Sequence, residues 1–288
     1  MNIGCKSLPG AIGLVVSALA LPALADGGGS NACAGLPSWG VLHSALQSAV
    51  AVGNSNTTGN GGLGFNMWAT IVANDGTVCA VAFSGSNYTS QWLGSRAISA
   101  QKANTANDFS LSNGAPPAGS LFPNGLALST ANLYSAVQPG GSLYGLQHSN
   151  PVDPEIAYQG SVSAYGTAYD PLFGQRVGGV NVFGGGLGLY AQGGVKVGGV
   201  GVSGDQSCTD HFVAWRVRHN LMLDYLSGVG GVSGDSTHPD NIIFDIAPAN
   251  GDGLLNPNGN LGASKGGFGH PTCLNTNTNT TTALPVVR

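Results

Sequence analysis

Charge is scarce in this chain. Nine Lys and Arg with 13 Asp and Glu make up 8% of its 288 residues, against roughly a quarter in an ordinary globular protein. The formal net charge is -4, and no basic patch is interleaved with aromatics. That excludes nucleic acid as an expected partner. A membrane-spanning run is also missing. The apolar stretch at residues 11–21 is too short to cross a bilayer and has no stop-transfer flank. Cysteine is limited to five residues, and their spacings are far too long for a CxxC zinc site. The glycine runs lack the acidic residue that follows a dinucleotide-binding G-x-G-x-x-G.

Glycine is abundant, at 48 residues. At the N-terminus, Lys6, the apolar stretch and Ala23-Leu24-Ala25 together read as an export signal with a small-x-small cleavage site. Residues 1–25 are therefore expected to be removed, and the mature protein to be periplasmic or secreted. Cys5 leaves with the signal. Cys33, Cys79, Cys208 and Cys273 remain, which predicts two disulfides in an oxidising compartment with three pairings open. Residues 26–250 read as one domain with a long insertion at about 111–176. Residues 251–288 are rich in Gly, Asn and Thr. Such composition buries little apolar surface against the entropy of ordering, so this part is expected to be an extension tied by Cys273.

The elements alternate in an α+β order. Residues 39–52 (WGVLHSALQSAVAV) have helical periodicity and Ser38 as a candidate cap. Residues 65–73 and 77–84 read as strands joined by the turn Asn74-Asp75-Gly76. Residues 91–109 form an Ala-rich helix whose small side chains suit close approach to a sheet. Residues 110–173 hold several prolines and only one weakly helical stretch, at 127–137. Segments of this kind mark lids, binding loops or oligomer arms. Residues 179–183, 187–190 and 195–202 read as further strands, the last with Gly198, Gly199 and Gly201 admitting a close neighbour. A last helix is expected over 207–226, with Ser207 and Asp210 as a capping pair. The expected fold is a central antiparallel sheet of about five strands flanked by helices.

Five side chains stand out as candidates for binding. Arg96 and Lys102 are the only basic groups of the second helix. They lie either on a solvated face or at a cleft as anion anchors. His148 sits in the long middle segment. His211 and His219 lie two turns apart on the last helix, too far for both to hold one metal ion. His219 shares an apolar face with Phe212, Trp215, Met222, Leu223 and Leu226. A buried core histidine is the plain alternative to a ligand or proton carrier at that position.

Three stretches carry a family resemblance. Residues 95–109 (SRAISAQKANTANDF) match a helix pattern near A-x-x-K-A-x-T-A-x-x-F through Lys102, Ala103, Thr105, Ala106 and Phe109. Residues 183–205 (FGGGLGLYAQGGVKVGGVGVSGD) resemble a glycine turn, a strand and V-G-A-I-G-V-S-G. The hairpin TIVANDGTVCAV is the third match. Together they resemble the GlcG/HbpS-like haem-binding family, which is related to the C-terminal domain of PduO adenosyltransferases. The chain departs from the pattern in its long insertion, in its Asn/Thr tail, and in Asp205 and Asp210 where relatives carry an acidic pair. The resemblance implies an α+β domain, homo-oligomers, and haem as cofactor in exported members, some of which degrade it. No ligand motif carries over. On this basis Arg96 and Lys102 are expected to meet propionates, and His148, His211 or His219 to offer an axial nitrogen. Two other functions remain open. One is an enzyme acting on a small organic acid, held by Arg96 or Lys102 with His219 moving a proton. The other is a non-catalytic accessory subunit that binds a protein partner through its long loops.

Overall fold

Strands too small to shield themselves need helices on both faces, and this chain supplies them. The computed structural model describes Met1, residues 31–247 and residues 263–288. The expected export signal, apart from Met1, and residues 251–262 of the expected extension lie outside the described residues. The principal elements are α1 (Trp39–Val50), β1 (Trp68–Ala73), β2 (Val78–Phe83), α2 (Ser95–Asp108), β3 (Gly186–Ala191), β4 (Val195–Ser203) and α3 (Ser207–Asn220). The four strands form one sheet in the order β2-β1-β4-β3, and every neighbouring pair is antiparallel. Among the described residues no helix is long and apolar enough to cross a membrane.

Alternation along the strands sorts the two layers. Ala69, Ile71, Val200, Val202, Leu187 and Leu189 point into a core shared with α1 and α3. Trp68 and Val72 face α2, where they meet Ala97, Ala100 and Ala103. Thr70 lies on that second face, and its hydroxyl is 2.7 Å from that of Ser99. The β4 glycines explain how α2 comes so near. A Cβ on Gly199 would run into the carbonyl of Ala103, and one on Gly201 into the carbonyl of Ser99. The close neighbour that these glycines admit is the backbone of α2, not a ligand.

The middle insertion is a cover for α2. Ala157, Leu172 and Val177 pack into the cluster around Trp68 and Val72, and Asp170 pairs with Arg96 at the start of α2. Its regular elements are short, such as Pro154–Ala157, capped by the Asp153 carboxylate accepting from the amides of Glu155 and Ile156. The stretch 179–183, expected to be a strand, is irregular. The amide of Asn181 donates to the Thr105 hydroxyl at 2.9 Å, so a helix side chain takes the place of a ladder partner.

Helix ends also differ from expectation. Ser38 makes no side-chain cap. At α3 the cap position is Gln206, and Asp210 accepts instead from the amides of Gly204 and Asp205. The helix stops at Asn220, six residues early. Met222 takes a positive φ of 56°, and the chain then runs beside β3, where the Tyr190 amide donates to Leu223 O at 2.7 Å.

The tail contradicts the composition argument over its described part, residues 263–288. Leu284 joins the main core, Trp215 Nε1 donates to Pro285 O at 2.8 Å, and Asn277 is 1% exposed. Its amide side chains do what apolar groups cannot. Asn275 and Asn277 donate to the carbonyls of Gly62 and Gly59, each at 2.8 Å. The cysteines pair as Cys33–Cys79 and Cys208–Cys273. The bridges link residues 46 and 65 apart in sequence, and loop closure of that size is worth about 4 kcal/mol each.

Gly201→Ala is expected to destabilise the fold by about 1–3 kcal/mol through overpacking against α2. Gly40, inside α1 with open space around it, is the control, and Gly40→Ala should raise stability by about 0.5–1 kcal/mol. Urea unfolding midpoints that moved in the same direction would refute the close-approach account.

Candidate functional site

Three of the five candidate side chains lie in the interior. Arg96 is 2% exposed. It donates through Nε to Asp170 at 2.9 Å and through a terminal nitrogen to Ala157 O at 2.8 Å. Its guanidinium carbon sits 3.6 Å from the centre of the Tyr165 ring. Lys102 is fully buried, with Nζ 2.7 Å from Asp210 Oδ2 and 3.1 Å from Val202 O. Loss of water pulls the Lys102 ammonium below its ordinary value and pushes the Asp210 carboxyl up to about 6, each partly offset by the other's charge. His211 is also fully buried, with Nε2 3.1 Å from Asn241 Oδ1 and 3.2 Å from the Ile242 amide. Burial lowers it to about 4, so its ring is neutral. These three residues hold helices, sheet and insertion together. His148 stands exposed on the short helix Leu146–Ser149.

His219 is placed differently. Its side chain is 30% exposed, and Nδ1 is 2.7 Å from Oδ2 of Asp224, which is itself buried. Arg288 closes the arrangement. It pairs with Asp224 Oδ1 and donates to His219 O at 3.1 Å, and its amide donates to Asp224 O at 3.0 Å. The sharp turn at Met222 brings Asp224 back under the helix end. A positive φ at a residue other than glycine costs of order 1–2 kcal/mol, and the ion pair it permits is the visible return. With Nδ1 engaged, the ring offers Nε2. His219 forms part of the wall of an open groove of about 470 Å³ between α1, α3 and the tail, within the size range of small-molecule sites, ~300–1,000 Å³. Ala49, Val52, Leu284 and Pro285 give it apolar walls, and Arg216 lies along one side. Arg216 uses Nε on Asn60 Oδ1 at 2.8 Å and one terminal nitrogen on Ala283 O at 2.7 Å.

Asp224, Arg216 and Arg288 went unnoticed in the sequence. Asp224 fell inside the expected helix, and Arg288 lies 69 residues from His219. The signal that could have found Asp224 and Arg216 is charge scarcity itself. Arg216 and Asp224 lie within five residues of His219 and are two of only 22 charged side chains, whereas nothing in the sequence links Arg288 to them.

Comparison with solved structures returns distant matches. PduOC in complex with haem aligns at 20% identity over 63% of this chain and 89% of its own, with a TM-score of 0.39. The Klebsiella pneumoniae protein ORFY aligns at 19% identity over 64% and 90%, also with a TM-score of 0.39. A double mutant of Streptomyces reticuli HbpS aligns at 18% identity over 69% and 96%, with a TM-score of 0.37. In structure the chain is similar to GlcG/HbpS-like proteins, at low identity. No family model and no curated protein sequence matches it.

Two stability measurements test the interior groups. Lys102→Met strands the Asp210 carboxylate and should cost about 3–5 kcal/mol, whereas the double variant Lys102→Met with Asp210→Leu should recover most of that loss. Equal losses in single and double variants would show that the stranded Asp210 carboxylate is not the source of the cost. His211 titrates at about 4 folded and 6.5 unfolded. The unfolded chain therefore binds the extra proton between those values, and stability falls as pH drops through that window. Asp210, raised to about 6, holds its proton more tightly when folded and opposes the fall. Burial lowers His270 to about 4 as well, so thermal midpoints of a His211→Gln variant should show a reduced acid-side decline rather than none. An unchanged decline would assign it to other groups.

Proposed function

We propose that the mature chain is an exported haem-binding protein in which His219 supplies the axial nitrogen. The observation that carries this reading is the His219–Asp224 pair at the edge of an open groove of mixed polar and apolar lining. A metal-binding histidine ordinarily gives its second ring N–H to a carboxylate or carbonyl, which fixes the tautomer and raises the basicity of the free nitrogen. Asp224 is placed to do this at 2.7 Å. Arg288 holds the carboxylate in turn. The donor set fits haem: an imidazole nitrogen for the iron, apolar walls for the macrocycle, and Arg216 as a cation for a propionate. Haem bound there would supply a redox-active iron. The motif resemblance supports the same ligand class, and two disulfides agree with an exported protein.

The same dyad favours one second reading, proton transfer on a small organic acid held by Arg216. Arg96 and Lys102, first considered for that anchoring role, are already committed to buried carboxylates. Hemin binding separates the two readings. Titration of the purified protein should give a saturable shift of the Soret band at near-stoichiometric protein. Asp224→Asn should weaken binding by about 10–100-fold, His219→Ala by at least as much, and His148→Ala by nothing measurable. No saturable spectral change, or unaltered affinity in His219→Ala, would overturn the assignment.

A further inference from the structure

The Cys208–Cys273 bridge has a histidine beside it. The two sulfurs and a ring nitrogen of His270 all lie within 4.8 Å of one another. Cys208 is the second residue of α3, and the tail delivers the other two. His270 is 1% exposed and Cys208 2%, while Cys273 is partly exposed and gives solvent access. His270 Nδ1 lies 2.7 Å from the carbonyl of Pro271. Donation to that carbonyl makes Nε2 the acceptor nitrogen, which accepts from the Ser207 hydroxyl here and is the atom that a cation would claim. Nε2 is 3.1 Å from the Ser207 hydroxyl, which is in turn 3.5 Å from the Cys273 sulfur. The Cys208 amide donates to the same sulfur at 3.3 Å. A helix N-terminus and a donated N–H both favour a thiolate over a thiol.

We propose that Cys208, Cys273 and His270 form a redox-gated site for a thiophilic divalent cation of the zinc type. In the oxidised state the bridge anchors the tail and no ligand set exists. A dithiol reductant supplies two electrons and two protons, the S–S bond breaks into two thiols, and the dithiol leaves as its own cyclic disulfide. Cation binding then displaces one proton from each thiol. Two thiolates with a dication are neutral together, which suits a buried position. Tetrahedral coordination sets ligand atoms ~3.5–3.8 Å apart, from bonds of ~2.3 Å to sulfur and ~2.0 Å to nitrogen. Reaching that arrangement requires the two sulfurs, now 2.08 Å apart, to separate by about 1.7 Å once the bridge is open. The fourth position falls to water or the Ser207 hydroxyl. The site is independent of the groove at His219.

Cobalt(II) serves as the probe. The full chain is reduced with a phosphine, freed of reductant under anaerobic conditions and titrated. The reduced protein should bind one equivalent with sulfur-to-metal charge transfer and tetrahedral d–d bands, the oxidised protein none, and zinc should displace the cobalt. His270→Ala should weaken binding by at least about tenfold. Zinc should shield Cys208 and Cys273 from alkylation and leave Cys33 and Cys79 reactive, as read by peptide mass mapping. Absence of a saturable band, or shielding of the other cysteine pair, would overturn the proposal. Should reduction unfold the chain, zinc must restore native circular dichroism, and failure to do so overturns it equally.

Discussion

Among the buried ion pairs, Lys102–Asp210 is the one that ties α2, β4 and α3 together. Lys102 and Asp210 are both fully enclosed, and neither charge is tolerable there without the other. Meeting this constraint fixes three elements at once. Lys102 comes from α2 and also reaches Val202 O on β4. Asp210 lies in the first turn of α3 and also binds the amides of Gly204 and Asp205. The lysine can reach the carboxylate only if α2 lies directly on β4, which Gly199 and Gly201 allow. The glycine-rich strand, the tight turn after it and the alanines of α2 are therefore parts of a single arrangement.

The same turn organises what lies beyond it. Asp205 gathers the amides of Leu63, Gly64 and Phe65, which draws the loop after α1 onto the start of α3. The tail is threaded against that loop by Asn275 and Asn277 and locked to α3 by Cys273. It then ends beside His219. The groove is thus built from the end of α1 and the tail over the last turns of α3.

Local patterns were legible wherever local physics decides. The Asn-Asp-Gly turn, the alternating strands, the alanine stripe of α2 and the four secreted-type cysteines each pointed to the structure found. The site was legible only in part. His219 could be singled out as a histidine on an apolar helix face. Its placement at a helix end could not, because nothing in residues 219–226 breaks the helical period before Met222 turns. Arg96 and Lys102 were read as surface groups or anion anchors because their carboxylates, Asp170 and Asp210, lie 74 and 108 residues away.

The sequence alone determined the α+β layering, the hairpin, the small-residue faces of α2 and of the glycine strand, and the presence of two disulfides. Each follows from periodicity, turn chemistry or residue size over a short span. Tertiary structure decided which cysteines pair, that the Asn-rich tail folds, and that Asp224 and Arg288 meet at His219. Those outcomes rest on hydrogen bonds and ion pairs between distant segments. Their strength depends on burial, and burial exists only once the chain has packed.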